Sequence, residues 1–226
     1  MQALWERFIE FRHILWEGVL ETLYMTSIAV VFAYAIGVPL GVLLVVLRKG
    51  GLMPNRPIHV VLSFAINTLR SIPFIILINA LIPFSRFVVN SGIGNNAAIV
   101  ALVVGSFAFV ARMVETAISE VDEGVIDAAK AMGATKLQII CKVMLPESVP
   151  SLVRGFSITT IMIISFSAMA GALAAGGLGQ IAIRYGHLRF MGDVMLLTII
   201  TIVIMVTIIQ FGFNLLASKI DRRVQK

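Results

Sequence analysis

Residues 127–146 read DAAKAMGATKLQIICKVMLP, a polar, helix-forming stretch in a chain that is otherwise strongly apolar. Apolar residues recur at helical spacing over residues 121–132, and charged residues occupy the opposite side. Gly133 follows the last turn, where a glycine adopts a left-handed backbone without steric cost. Thr135 stands three residues before Gln138, the spacing of a capping box, so a second helix begins there. The stretch predicts two short helices joined at an exposed corner.

The residues of this stretch leave two interpretations open. The first helix has one apolar side, which carries Val121, Val125, Ala128, Ala129 and Met132. Such a helix docks onto a partner protein, or it lies flat in the membrane interface with that side against the lipid. The two short helices by themselves do not decide between these arrangements.

Composition places the chain among the all-α integral membrane proteins. Of its 226 residues, 59% are hydrophobic and only 13% are charged, whereas soluble domains average about 25% charged residues. Five apolar runs each exceed the ~20 residues that a bilayer-crossing helix requires. We therefore expect five transmembrane helices, at residues 22–47, 60–84, 91–111, 155–183 and 194–218.

The spans divide the chain into three parts. Residues 1–17 mix acidic and basic side chains with Trp5 and Trp16, which predicts an interfacial helix with tryptophans at headgroup level. Residues 18–218 form the predicted transmembrane domain, and its loop at about 115–150 holds the two short helices. Residues 219–226 form a cytoplasmic tail.

The basic residues predict the orientation of the chain. Twelve of them fall on one side of the five spans, at the 48–56 loop, the 112–154 segment and the C-terminus, and five fall on the other. The side richer in lysine and arginine faces the cytoplasm. The N-terminus is then outside, and residues 127–146 are cytoplasmic. Because the basic residues are spread over several loops, they give no support for nucleic-acid binding.

Nothing in the sequence indicates an enzyme or a metal site. Gly176, Gly177 and Gly179 lack the Lys-Ser or Lys-Thr pair of a phosphate-binding loop, so they indicate a helix end that permits close packing. The three histidines are far apart, and no clustered acid, base or ligand set is visible. An ion-coupled secondary transporter, the other alternative, requires buried carboxylates, yet no Asp or Glu lies inside a predicted span.

Two features inside the spans are candidates for function. Arg70 is the only charge well inside a span, and it either marks a site or satisfies backbone carbonyls freed by Pro73. The fourth span carries Met162, Ser165 and Met169 on one face, which suits either core packing or the wall or gate of a permeation pathway. In the first span, Gly37 and Gly41 form a GxxxG pair, for which close helix packing is the default explanation.

The 127–146 stretch resembles the EAA loop of ABC importer membrane subunits, in Asp127, Ala128, Ala129, Gly133, Val143, Leu145 and Pro146. Asp127 stands where that family usually has Glu, and Val143 where it has Ile. Residues 65–78 (AINTLRSIPFIILI), 109–118 (FVARMVETAI) and 175–186 (AGGLGQIAIRYG) are similar to the methionine permeases among these importers. The resemblance covers most of the chain from Glu17 onward.

The resemblance implies a compact five-span type I ABC importer fold with cytoplasmic coupling helices, in a bacterial inner membrane. It implies a homodimer, two ATP-binding subunits that hold the ATP and Mg, and an extracytoplasmic methionine-binding lipoprotein. This chain would then need no cofactor and would import methionine, or alternatively another small amino acid, by alternating access. The coupling residues implied are Asp127, Ala128, Ala129, Gly133, Ala134, Leu145 and Pro146.

Overall fold

The computed structural model describes residues 2–220, apart from the side chains at 2–5, 214 and 216–220. Of the tail predicted at 219–226, residues 219 and 220 belong to the last helix, and the remainder lies outside the described residues. Every regular element in the described range is helical, which confirms the all-α class. The α-helices are α1 (Gln2–Leu47), α2 (Arg56–Ser71), α3 (Phe74–Ala80), α4 (Ile82–Val89), α5 (Asn95–Ser119), α6 (Glu123–Ala131), α7 (Lys136–Ile139), α8 (Leu145–Gly171), α9 (Gly177–Ile181) and α10 (Gly192–Ile220). Two π-helical turns cover Ile140–Met144 and Ala182–His187.

Within the described residues, four helical segments are long and apolar enough to cross a membrane. They are α1, α5, the segment Lys136–Gly171 and α10, and α2 with α3 gives a fifth if the two are counted as one broken span. The N-terminal part predicted as an interfacial segment and the first predicted span belong to one unbroken helix, α1.

Two of the predicted spans are not single helices. The span predicted at 60–84 is broken at Ile72 and Pro73, because a proline has no N–H to donate and disfavours helical backbone in the residue before it. The span predicted at 155–183 ends at Gly171, and the chain then passes through left-handed backbone, with φ of 56° at Ala174 and 88° at Gly176. Hydropathy averaged over about 20 residues runs across such breaks, so it does not detect them.

Contacts group the described residues into two compact units. The first unit comprises residues 2–32, 72–106 and 159–211, and the second comprises 33–71, 107–158 and 212–220. In the first unit, parts of α1, α8, α9 and α10 share an apolar core built from Phe11, Leu15, Ile164, Leu178, Ile181, Val194 and Met205. Glu21 of α1 accepts a hydrogen bond from the Gly177 N–H at 2.6 Å, and Thr22 accepts one from the Leu178 N–H.

In the second unit, α1 and α5 pack backbone against backbone. A Cβ added to Gly37 would lie 2.6 Å from the Val110 Cβ, and one added to Gly41 would lie 2.6 Å from the carbonyl oxygen of Ala111. Atoms this close leave no room for any side chain. The GxxxG pair is therefore a helix-packing site, as the sequence predicts.

Candidate functional site

The segment from the α6 cap to the start of α8, residues 122–146, is named the corner segment. Asp122 caps α6, since its Oδ1 accepts a hydrogen bond from the Gly124 N–H at 2.7 Å. Gly133 follows the helix end with φ of 80°. Thr135 and Gln138 form a complete capping box, in which the Thr135 N–H donates to the Gln138 side chain at 2.8 Å. The predicted arrangement of helix, tight corner and helix is confirmed.

The second short helix, α7, is not followed by a loop. After α7 the chain continues through the π-helical turn Ile140–Met144 into α8 without an interruption, and the Leu145 N–H donates to the Ile140 carbonyl five residues back. Pro146 has no N–H to donate, so a widened turn just before it is accommodated more easily than regular helix. Pro146 is the residue from which this widened turn could have been expected in the sequence.

The corner segment is anchored to the second unit by a few buried side chains. Ala129, Ile139 and Met144 are almost completely buried, and they belong to one apolar cluster with residues of α1 and α5. The α1 and α5 members of that cluster are Ala33, Val45, Val110, Val114 and Ile118. The corner segment is therefore joined directly to helices that are long enough to cross a membrane.

Much of the rest of the corner segment is exposed, including several of its apolar side chains. Met132 is 81% exposed and Leu137 is 73% exposed, on either side of Gly133. Val125 and Ala128 are exposed as well, so of the five residues on the predicted apolar side only Val121 and Ala129 are buried. The reason is tertiary: α6 contacts the core over about one turn only, and its remaining length protrudes.

The residues that the resemblance implies for coupling fall into two groups. Asp127, Ala128, Gly133 and Pro146 are exposed. Ala129 is buried, and Ala134 and Leu145 are half-buried. The carboxylate of Asp127 pairs with the Lys130 ammonium at 2.9 Å on the surface. A surface with two large exposed apolar side chains beside a charged pair has the composition of a protein-binding patch.

The three residues of the fourth predicted span lie on α8. Met162 is half-buried, while Ser165 and Met169 are exposed. The Ser165 hydroxyl donates to the Ile161 carbonyl at 3.2 Å within its own helix. The exposed part of this face therefore consists of the Met169 thioether and a Ser165 hydroxyl that already donates a hydrogen bond within its own helix.

A cavity of about 770 Å³ lies in the second unit, lined by α2, α5 and α8. We name it the arginine cavity, because its charged lining residues are Arg70, Arg112, Arg154, Glu115 and Glu120. The Cζ atom of Arg70 lies 5.6 Å from the centroid of the Phe109 ring, a cation–π contact. Within the described part of the chain the Arg70 guanidinium donates no hydrogen bond, so a role in satisfying carbonyls freed by Pro73 is not seen.

The chain from residue 37 onward matches a known class of transport protein, and the match includes the corner segment. The family model described as "Binding-protein-dependent transport system inner membrane component" matches residues 37–226. The chain belongs to this family, and it is therefore a membrane component of an inner-membrane transport system.

The relatives within this family are more specific. The probable D-methionine transport system permease protein MetI of Vibrio cholerae is 44% identical over 203 residues, which cover 90% of each protein. The methionine import system permease protein MetP of Bacillus subtilis is 47% identical, over 92% of this chain and 94% of its own length.

Solved structures agree with the family assignment. A chain from the inward-facing MetNI methionine ABC transporter superposes with a TM-score of 0.92 at 45% identity, over 94% of this chain and 99% of that one. An amino acid ABC transporter crystallised with histidines shares the fold at a TM-score of 0.74 and 21% identity. These matches confirm the type I ABC importer fold expected from the sequence.

Proposed function

We propose that this chain is the permease subunit of an ATP-driven importer of methionine. The main observation behind the proposal is the corner segment, which exposes apolar side chains and is continuous with α8, a helix long enough to cross a membrane. The relatives named for methionine transport, at 44% and 47% identity over nearly the whole chain, support the choice of substrate.

The proposed assembly contains two copies of this chain, two ATP-binding subunits and an extracytoplasmic methionine-binding protein. ATP and Mg are held by the ATP-binding subunits, and this chain provides the permeation pathway without catalysing a reaction. The basic residues support an orientation with the N-terminus outside and the corner segment in the cytoplasm, where an ATPase is available to bind it.

The proposed mechanism is alternating access driven by the partner subunits. Closure of the two ATPases on ATP moves both corner segments, and with them the helices to which they are anchored. Shifting a two-state population from 1:99 to 99:1 requires about 5.5 kcal/mol of differential binding. The two corner segments of the proposed dimer share this free energy, so binding at each has to supply about half of it.

Reconstituted transport tests the proposed function. The chain, its ATPase subunit and its binding protein are placed in proteoliposomes, and uptake of radiolabelled methionine is measured with ATP, without ATP and with an ATPase variant that binds but does not hydrolyse ATP. We expect uptake only with hydrolysable ATP. Uptake driven by an ion gradient without ATP, or transport of a different amino acid in preference to methionine, would contradict the proposal.

We predict that Met169 contributes to a gate on the two-fold axis of the proposed dimer. It is 48% exposed on α8, and a residue near such an axis meets its own copy. A Met169→Cys variant lacking Cys141 should form a disulfide between the two copies in one nucleotide state, because cysteines with Cα atoms within ~7 Å can be bridged.

Ala168→Cys is the matched control for this crosslink, since residue 168 points about 100° away around the helix. Absence of a Met169→Cys crosslink in every nucleotide state, with a loss of stability of about 2–5 kcal/mol in Met169→Ala, would show that Met169 is a packing residue.

A further inference from the structure

The arginine cavity extends from the corner-segment side of the second unit toward the middle of the helices. Glu120 directly follows the end of α5, and Ser151 lies near the start of α8, so both stand at the corner-segment end of the cavity. Phe109 lies ten residues before the end of α5, about 15 Å deeper along that helix. Arg70 lies over the Phe109 ring, at the opposite end of the cavity from Glu120.

All three nitrogens of the Arg112 guanidinium donate hydrogen bonds to neighbouring residues. Its Nε donates to the Asn67 side chain at 3.1 Å, Nη1 donates to Glu115, and Nη2 donates to Ser63. Glu115 also neutralises its charge as an ion pair with both side chains about one-fifth exposed. Arg112 is therefore a fixed, paired part of the cavity wall.

Arg70 differs from Arg112 in each of these respects. No carboxylate among the described side chains lies within ion-pair distance of it, and it is exposed to the cavity. A guanidinium that lies over an aromatic ring keeps its N–H edge free for a planar, bidentate acceptor. An unpaired cation well inside a membrane protein is costly, which marks it as a functional group.

The surroundings of Arg70 are apolar on one side and acidic on another. Phe109, which contacts Arg70, lines the cavity together with Met113 and Ile158, and Glu115 and Glu120 lie toward the corner-segment end. A small zwitterion with an apolar side chain matches this pattern: its carboxylate pairs with the guanidinium, and its side chain contacts the three apolar residues.

We propose that the arginine cavity is a transient binding site for the transported amino acid, in which Arg70 binds the substrate's α-carboxylate. The proposal rests on the proposed function, because it gives that permeation pathway a substrate site. A lipid phosphate offers similar oxyanion chemistry. The depth of Arg70, about 21 Å along α2 from Arg56, favours the substrate.

Photolabelling of the assembled complex tests the site directly. The complex is reconstituted without binding protein, equilibrated with the diazirine analogue of methionine, irradiated, and digested for mass spectrometry. We expect labels in residues 109–117 and 151–158. Excess methionine should prevent labelling, whereas methioninol, in which the carboxylate is replaced by an alcohol, should protect about tenfold less well, since one charge-assisted hydrogen-bonding pair is lost.

Variants separate a role in binding from a role in folding. Arg70→Gln should lower labelling about tenfold while the ATPase subunit still co-purifies, and Arg70→Lys should retain part of the labelling because it keeps the charge but loses the planar fork. Arg86→Gln, an exposed arginine outside the cavity, is the matched control and should label like the wild type.

Four results would overturn the inference: labels elsewhere in the chain, equal protection by methioninol, unchanged labelling of Arg70→Gln, or labelling lost when phosphatidylglycerol is added to phosphatidylcholine membranes. The last result would assign the site to a lipid headgroup. If the wild-type complex imports methionine but labelling fails, only this inference is wrong; if it imports no methionine, the proposed function fails first.

Discussion

Asp127→Arg is expected to reduce ATP-driven uptake at least about tenfold while the permease still inserts and folds. The Asp127 side chain is 70% exposed and pairs only with Lys130 among the described side chains, and such surface pairs contribute about 0–1 kcal/mol to stability. The prediction assumes that a basic side chain of the ATPase subunit faces Asp127, in which case charge reversal places like charges together and costs several kcal/mol of association. Uptake in proteoliposomes and co-purification of the ATPase subunit are the two measurements.

Asp127→Asn is the matched control, because it removes the charge without reversing it and should reduce uptake much less.

A second variant tests the same surface by changing the backbone conformation at Gly133. Gly133 has φ of 80°, where a β-branched residue costs about 1–3 kcal/mol, so Gly133→Val should uncouple transport, whereas Gly133→Asn should be tolerated. Normal uptake by Asp127→Arg and Gly133→Val would remove the docking hypothesis.

Gly41→Ala is expected to lower the yield of folded permease severely, although it adds only one methyl group. That carbon would lie 2.6 Å from the Ala111 carbonyl oxygen and 2.6 Å from the Val114 Cβ. Neither neighbour is the flexible end of a side chain, so α1 and α5 would have to separate. Overpacking of this kind costs about 1–3 kcal/mol or more. Size-exclusion chromatography and thermal unfolding in detergent provide the measurement.

Gly212→Ala is the matched control for Gly41→Ala. An added Cβ at Gly212 meets nothing within 4 Å, and alanine favours helix over glycine by about 1 kcal/mol. We therefore expect Gly212→Ala to fold at least as well as the wild type. Equal yields of Gly41→Ala and Gly212→Ala would show that α1 and α5 do not pack as the structure has them.

Local chemistry made part of this structure predictable. The capping box at Thr135, the left-handed Gly133 and the close-packed Gly37 depend on a few neighbouring residues, and the structure has each of them as predicted. The apolar spans also follow from composition, since a bilayer requires long runs of apolar helix.

Features that depend on tertiary contacts were not predictable in the same way. Ala129 is buried while Val125, on the same predicted side of the helix, is exposed, and this difference depends on where α6 contacts the core, which no local pattern encodes. The difference between Arg70 and Arg112 depends on Ser63 and Asn67, which are 49 and 45 residues away from Arg112 in the chain. Sequence reasoning singled out Arg70 by its charge alone and did not find the cavity around it.

The buried contacts of the corner segment determine how a movement of this segment is transmitted to α5 and α1. Ala129 and Ile139 are embedded among α5 side chains, and Gly37 and Gly41 press α1 directly on α5. Close-packed interiors have low compressibility, so a force on the corner segment produces displacement and little local deformation. The second unit then moves as a rigid body, and the size of its displacement is set by the movement of the protein that binds the corner segment.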